Sequence, residues 1–312
     1  MFQSLPTSVL QMGMIFLSIV IEALPFVLLG CLISGFLHVF LSAERVNKLL
    51  PKNKFLAIIV GSVLGVFFPS CECGIVPIVH QFLKKEVPTY TAFPFMLTAP
   101  IINPIVLFST FIAFSNSWKF VFLRVLGSLL VALLVGIWLA YIYTKNPLKE
   151  SYQAGSTHEH EHDHQHDHQH DHQHVACTPP SKIEKTSHMF QHSIDEFFDT
   201  GRYLIIGALI ASGLQVYLPT SIILTLGSTK LLAILVMLAL AVIMSLCSEA
   251  DAFIGSSLLS LFGVAPVVAF LVFGPMVDIK NLLMMKRYFG TKFIVQLVAL
   301  IAVIVTIFAW VV

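Results

Sequence analysis

Charge is scarce in this chain: Asp, Glu, Lys and Arg make up 11% of 312 residues, where soluble domains carry about 25%. That scarcity excludes an ordinary soluble enzyme. An excess of either sign is lacking too, since 18 basic and 17 acidic residues leave a net charge of +1. No global field exists to steer nucleic acid, which is set aside as a partner. No P-loop, HExxH or GxSxG occurs, so nothing in the sequence marks an ATPase, a zinc protease or a serine hydrolase, and the expected class is not an enzyme. The cysteines are few and odd in number: Cys31, Cys71, Cys73, Cys177 and Cys247. Most lie in apolar segments, which argues against a secreted disulfide framework. No charged stretch precedes the first apolar run and no cleavage signature follows it, so the first helix is expected to stay in the mature protein.

What the chain has is apolar length. Apolar residues make up 57%, in runs near 9–40, 55–83, 90–114, 120–143, 201–218, 229–262, 264–285 and 291–312. Crossing a hydrocarbon core takes about 20 residues. The expectation is an all-α polytopic protein of the plasma membrane, with about eight transmembrane helices and the lipid bilayer as its first partner. Two runs are too long for one straight crossing and carry polar residues midway, so broken or re-entrant segments are expected near 69–77 and 247–252.

The chain also repeats itself. LLGCLISGFLHVFL from Leu28 matches IIGALIASGLQVYL from Ile205 at offset 177, pairing Gly30 with Gly207 and, upstream, Glu22 with Asp199. VLGVFFPSCECG from Val63 matches ALAVIMSLCSEA from Ala239 at offset 176, so Cys71 pairs with Cys247. APIINP from Ala99 matches GPMVDI from Gly274 at offset 175, pairing Asn103 with Asp278. The implied organisation is a first membrane repeat over 1–144, a His-rich disordered linker over 145–195 and a second membrane repeat over 196–312. Four crossings per half make the repeat parallel and five make it inverted. Counting basic residues by side gives eleven, Lys280 and Arg124 among them, against seven. That balance places the termini and the central loop outside.

The sharpest local signal is Pro69-Ser70-Cys71-Glu72-Cys73-Gly74 with Pro77, inside an apolar run. Prolines and a glycine this close predict unwound backbone, tolerated at membrane depth only where it is buried or lines a cavity. If extended, the CxC points both thiols to one side, where they suit soft ions such as copper(I), zinc or trivalent arsenic. The alternative is two small residues packed in a helix break. Cys247-Ser248-Glu249-Ala250-Asp251 occupies the matching place in the second half and adds a third thiol. Each carboxylate at the bilayer centre costs about 2.5–3.5 kcal/mol on insertion scales. Glu22, Glu72, Glu249, Asp251 and Asp278 are therefore expected in a shared polar interior, unless some pair with Lys280 or Lys84, and Glu72, Glu249, Asp251 and Glu22 are the candidates for proton coupling. Asn103, between Pro100 and Pro104, marks a further discontinuity echoed by Pro275 and Asp278. Asn103 and Asp278 join the thiols as candidate substrate contacts.

The central loop places His158, His160, His162, His164, His166, His168, His170, His172 and His174 at alternate positions with five acidic residues among them. Such a tract is disordered when unbound and can bind Zn, Ni or Cu with little selectivity. Its charge swings from about −5 to about +4 as the histidines protonate. No cofactor is required. His38, His80, His188 and His192 read as structural.

At PSCECGIVP from Pro69, APIINP from Ala99 and SEADAF from Ser248, the sequence resembles the predicted-permease family that includes the ArsP organoarsenical efflux permeases and YraQ-like proteins. The resemblance covers nearly the whole chain except the histidine tract. It implies an eight-helix permease exporting trivalent organoarsenicals through a cysteine pair falling on Cys71 and Cys73, with a second membrane subunit beside some relatives and a homo-oligomer as the other option. Three functions follow as expectations. The first is a secondary permease for a soft metal or metalloid solute; the second is an ion- or proton-coupled subunit of a two-component membrane complex serving pH homeostasis; the third is a metal-sensing membrane scaffold.

Overall fold

A computed structural model describes residues 7–40, 50–68, 71–143, 147–149, 182–217 and 229–312. The histidine tract His158–His174, Pro69 and Ser70 lie outside the described residues.

The described residues fold into α-helices. In chain order these are α1 (Thr7–Phe40), α2 (Lys54–Leu64), α3 (Glu72–Lys84), α4 (Thr89–Ile102), α5 (Pro104–Ala113) and α6 (Trp118–Tyr141), then α7 (Lys182–Tyr217), α8 (Lys230–Met244), α9 (Ser248–Phe262), α10 (Val264–Phe273), α11 (Ile279–Tyr288) and α12 (Thr291–Val311). Side chains set several starts. Asn53 accepts from Phe55 N, Thr229 from Leu232 N, Asn103 from Ile105 N and Asp278 from Asn281 N, each satisfying an amide that the first turn leaves open. Pro104 at the first position of α5 adds its fixed φ where no amide bond is lost.

By length and composition, α1, α6, α7 and α12 can each cross a membrane, making four, and α4 with α5 makes a fifth if that pair, bent by 42°, is one span. The chain is a multi-helix membrane protein, with fewer such spans among the described residues than the eight read from hydropathy. The difference comes from breaks. Run 55–83 divides into α2, a short 3-10 turn (Gly65–Phe67) and α3; run 229–262 divides into α8 and α9 at Ser245–Cys247. Runs 90–114 and 264–285 are broken as well, at Asn103 and between Phe273 and Ile279.

Both expected breaks exist but are shorter than the composition implied. Helix resumes at Glu72, so Pro77 sits inside α3, and it resumes at Ser248, so 248–252 is the first turn of α9. The reason is geometric: Pro77 is the sixth residue of α3, so the carbonyl it would crowd, four residues back, is that of Cys73, the second residue, with little helix before it to disrupt. Helix α7 likewise begins at Lys182, inside the stretch read as linker.

Buried α4 and α10 form the middle of the bundle: Thr91–Ile102 and Ala265–Phe273 are buried without interruption. Helices α2 and α6 flank the first, α8 and α12 the second. Helix α1 packs against α7 and α3, α7 also against α11, and α3 meets α11 between the halves as α5 meets α9. The approach of α1 to α3 is backbone to backbone. A Cβ on Gly30 would stand 2.3 Å from the Gly74 carbonyl oxygen.

Candidate binding centre at the helix breaks

The breaks bring their polar residues to one place. Cys71, in extended conformation (φ −75°, ψ 173°), precedes the first residue of α3, Glu72. Cys247, also extended (φ −72°, ψ 151°), does the same for α9. The Cys71 and Cys73 thiols and a Glu72 carboxylate oxygen lie within 4.8 Å of one another, and all three residues are buried. Cys247 is buried with its thiol beside that of Cys71. The two thiols of the CxC do converge, though not on an extended strand: one sits before the helix and the other in its first turn.

Around the thiols is a buried charge network. Glu72 Oε1 stands 3.6 Å from Lys280 Nζ, which is 3.8 Å from Asp278 Oδ2. Ser248 Oγ donates to Glu72 Oε2 at 3.3 Å, joining the start of α9 to the start of α3. Arg124, fully buried on α6, donates through NH2 to the Ser248 carbonyl (2.9 Å) and through NH1 to Thr110 Oγ1 (2.6 Å). Asp251 Oδ2 is buried without a hydrogen-bond partner. A Cβ on Gly274 would stand 2.9 Å from that oxygen, so the carboxylate fills the space a side chain would take. Ser245 caps α8 in the left-handed region (φ 47°), and its hydroxyl lies 3.5 Å from the Lys280 amide.

The sequence explains why acids collect here. Glu72 opens α3, Glu249 and Asp251 lie in the first turn of α9, and Asp278 caps α11. Each occupies a helix N-terminus, where unpaired amides and the helix dipole favour negative charge. A break inside an apolar run is what supplies such a terminus away from the membrane surface.

The expected residues divide accordingly. Cys71, Cys73, Cys247, Glu72, Asp251 and Asp278 are buried in one centre. Glu249 is half-buried and close enough for its charge to act on Glu72 and Arg124. Asn103 is buried, but its oxygen is taken by the Ile105 amide as a helix cap (3.0 Å). Glu22 does not join the polar interior. The buried stripe of α1 runs through Ile19, Ala23, Val27, Cys31 and Ser34, and Glu22 lies off it, exposed.

Lys280 and Arg124 count among the eleven basic residues of one side, yet both are buried, and Lys280 is the ion-pair partner that the sequence offered as an alternative for the acids. Without them eleven against seven becomes nine against seven, too even to orient the chain. A signal existed in each case: Arg124 interrupts an apolar run, and Lys280 follows two residues after an acid at a break.

The predicted-permease family ArsP_1 matches residues 8–312. A Streptococcus mutans protein, named as a proposed subunit of a two-component membrane permease complex, is 54% identical over 311 residues, covering 100% of this chain and 98% of its own. UPF0718 protein YcgR of Bacillus subtilis is 47% identical over 299 residues, covering 96% of each. No solved structure matches.

Proposed function

The chain belongs to this predicted-permease family, and on that premise we propose that it carries a soft metalloid or metal species, trivalent organoarsenicals included, across the plasma membrane by export. Cys71 and Cys73 ligate the solute and Cys247 supplies a third thiol. The observation that supports this most is the meeting of three buried thiols with the Glu72–Lys280 pair where two broken helices begin. Thiolates are soft donors, and sites between broken helices are where transporters bind solute. Family and relatives point to a transporter rather than an enzyme.

Proton coupling has a physical basis in the charge count. Buried in the centre are three carboxyl groups, Glu72, Asp251 and Asp278, and two cations, Lys280 and Arg124. An uncompensated charge in a buried site is strongly unfavourable. One proton neutralises the surplus, and so does one cationic metal, so these two compete and release of such a cation is coupled to proton entry. A neutral trivalent organoarsenical instead exchanges its hydroxyl groups, which leave as water, for the thiols, and the surplus is still met by the proton.

The reading includes two repeats, over 1–144 and 196–312. Its support is the shared order in each half: a long helix, a short apolar helix, a break, a helix, a buried helix, a break, a helix and a long helix. Among the contacts between halves, α3 against α11 exchanges with α9 against α5 under a two-fold. Rocking one half against the other then exposes the centre alternately.

A second reading has its own support. Lys280 is held between Glu72 and Asp278 without any thiol, an arrangement suited to an ion- or proton-coupled subunit of a two-component membrane complex, as the S. mutans relative is named. In both readings the histidine tract gathers Zn, Ni or Cu as an accessory.

Elemental analysis of cells exposed to arsenicals, antimonite, zinc, copper and nickel separates the two. The first reading expects altered accumulation of one soft species in wild type and vector-like levels in Cys71→Ser/Cys73→Ser. An unchanged double serine variant removes the thiols from the mechanism.

A further inference from the structure

A second buried polar cluster lies away from the thiols, where α1, α3, α7 and α11 meet. Its centre is Glu196 on α7, 6% exposed, whose carboxylate accepts a hydrogen bond from Ser34 Oγ on α1. His80 Nδ1 on α3 stands 3.8 Å from one carboxylate oxygen, and His192 Nδ1, one turn back on α7, stands 3.8 Å from the other. Gln81 Nε2 donates to His192 Nε2 at 3.3 Å, and the His38 ring stacks on His192 with centroids 4.3 Å apart. The His80 ring stacks on Tyr288 at 4.1 Å, and the Tyr288 hydroxyl lies 3.3 Å from Thr200 Oγ1. Arg287 closes the set, donating to Asp199 Oδ2 at 2.5 Å.

Two of the four histidines read as structural from sequence, His80 and His192, thus face one acid and a third, His38, stacks on His192, while His188 stays exposed outside the group. The titratable groups facing Glu196 are Cys31 and His38 from α1, His80 and Lys84 from α3, and Arg287 and Tyr288 from α11, with His192 and Asp199 on its own helix. No packing requirement puts a carboxylate and two imidazoles there, and ionisable groups at such positions mark ion or proton pathways. A metal does not fit as well. Among the described residues, the one set of three ligand groups close enough to share an ion is Cys71, Glu72 and Cys73. What remains is a proton, which a carboxylate and two imidazoles at 3.8 Å can accept and return.

The position gives the proton a direction. The His192 side chain is 27% exposed, whereas those of His80 and Glu196 are 4% and 6% exposed, so the cluster runs from surface to interior. His80 and Tyr288 each lie eight residues beyond Glu72 and Lys280 on the adjacent helices α3 and α11, which at 1.5 Å per residue is about 12 Å along the helix axis.

We propose that His192, Glu196 and His80 form a proton-exchange site through which protons pass between the aqueous face and the Glu72–Lys280 centre. A proton taken up on His192 transfers to the Glu196 carboxylate and then to the His80 imidazole, raising the charge of the cluster by one while it is held. The 3.8 Å separations need to close by about 1 Å to become hydrogen bonds. This inference rests on the proton-coupled reading above.

The test uses full-length protein in lipid nanodiscs and infrared difference spectra recorded while pH is stepped between 8 and 5. The expected result is a protonated-carboxyl band that Glu196→Gln removes and whose midpoint moves by about one pH unit or more in His80→Gln and His192→Gln. A spectrum unaltered by Glu196→Gln, or a midpoint unmoved in both histidine variants, overturns the proposal. If Glu196→Gln fails to fold, the half-buried His192→Gln carries the test. A second arm reads proton flux in proteoliposomes, driven by methylarsonous acid as the probe. Loss of flux in wild type itself strikes the thiol-permease reading alone, since the infrared titration needs no solute.

Discussion

Lys280 and Glu72, from opposite halves of the chain, meet with Nζ 3.6 Å from Oε1, and Asp278 flanks the same ammonium at 3.8 Å. Each of the three is nearly inaccessible to solvent. An ionic contact therefore joins the halves at the centre, beside the Ser248–Glu72 and Arg124–Ser248 hydrogen bonds, and any motion of one half against the other must break it or carry it along.

Removing the cation leaves two buried carboxylates facing each other. Lys280→Met is expected to destabilise the protein by about 3–5 kcal/mol, and adding Glu72→Gln should recover part of it, with a coupling of about 1–3 kcal/mol. Thermal unfolding of the purified single and double variants checks this. Additive losses mean the pair is not coupled.

Arg124 spans two partners with separate nitrogens, the Ser248 carbonyl and Thr110 Oγ1. A lysine keeps the charge but not the planar fork. Arg124→Lys should therefore cost about 1.5–3 kcal/mol through one lost charged hydrogen bond, and Arg124→Gln more. A melting temperature indifferent to Arg124→Lys rules out the two-pronged contact.

Helix α1 rests on α3 through Gly30, where a Cβ would stand 2.3 Å from the Gly74 carbonyl oxygen, while one on Gly13 of the same helix meets nothing within 4 Å. Gly30→Ala forces backbone apart and should destabilise by about 1–3 kcal/mol. Gly13→Ala should be neutral or slightly stabilising. Parallel melts of the two variants decide; equal effects contradict the close contact.

The histidine tract is dispensable for the centre on either reading of function. Deleting 158–174 should abolish binding of Zn, Ni or Cu by isothermal titration yet leave the melting temperature and solute accumulation at wild-type levels. Loss of transport with normal folding moves the tract from accessory to mechanism.

Much of this was legible in the chain itself. Membrane residence followed from run length, and the breaks at Cys71 and Cys247 followed from polar residues and prolines inside runs too long to be single helices. The acids at those breaks were legible because an acid in an apolar run needs a partner or a helix N-terminus. Misreadings came where periodicity alone had to choose a face. Glu22 looked equivalent to the other acids, and only the packing of α1 turned it outward. Arg124 entered only as a counted cation and His38 and His80 read as structural, because their partners lie in other helices.

By itself the sequence determined composition, helix propensity, the discontinuities and which ionisable groups needed satisfying, since these depend on residues close in the chain. His192 and Glu196 already lie four residues apart on one helix, whereas tertiary structure alone decided which distant groups met: Glu72 with Lys280, Cys71 with Cys247, and His80 with Glu196. Those pairings depend on how α3, α7, α9 and α11 pack, and packing is a property of surfaces brought together from distant segments, whose contacts no local pattern encodes.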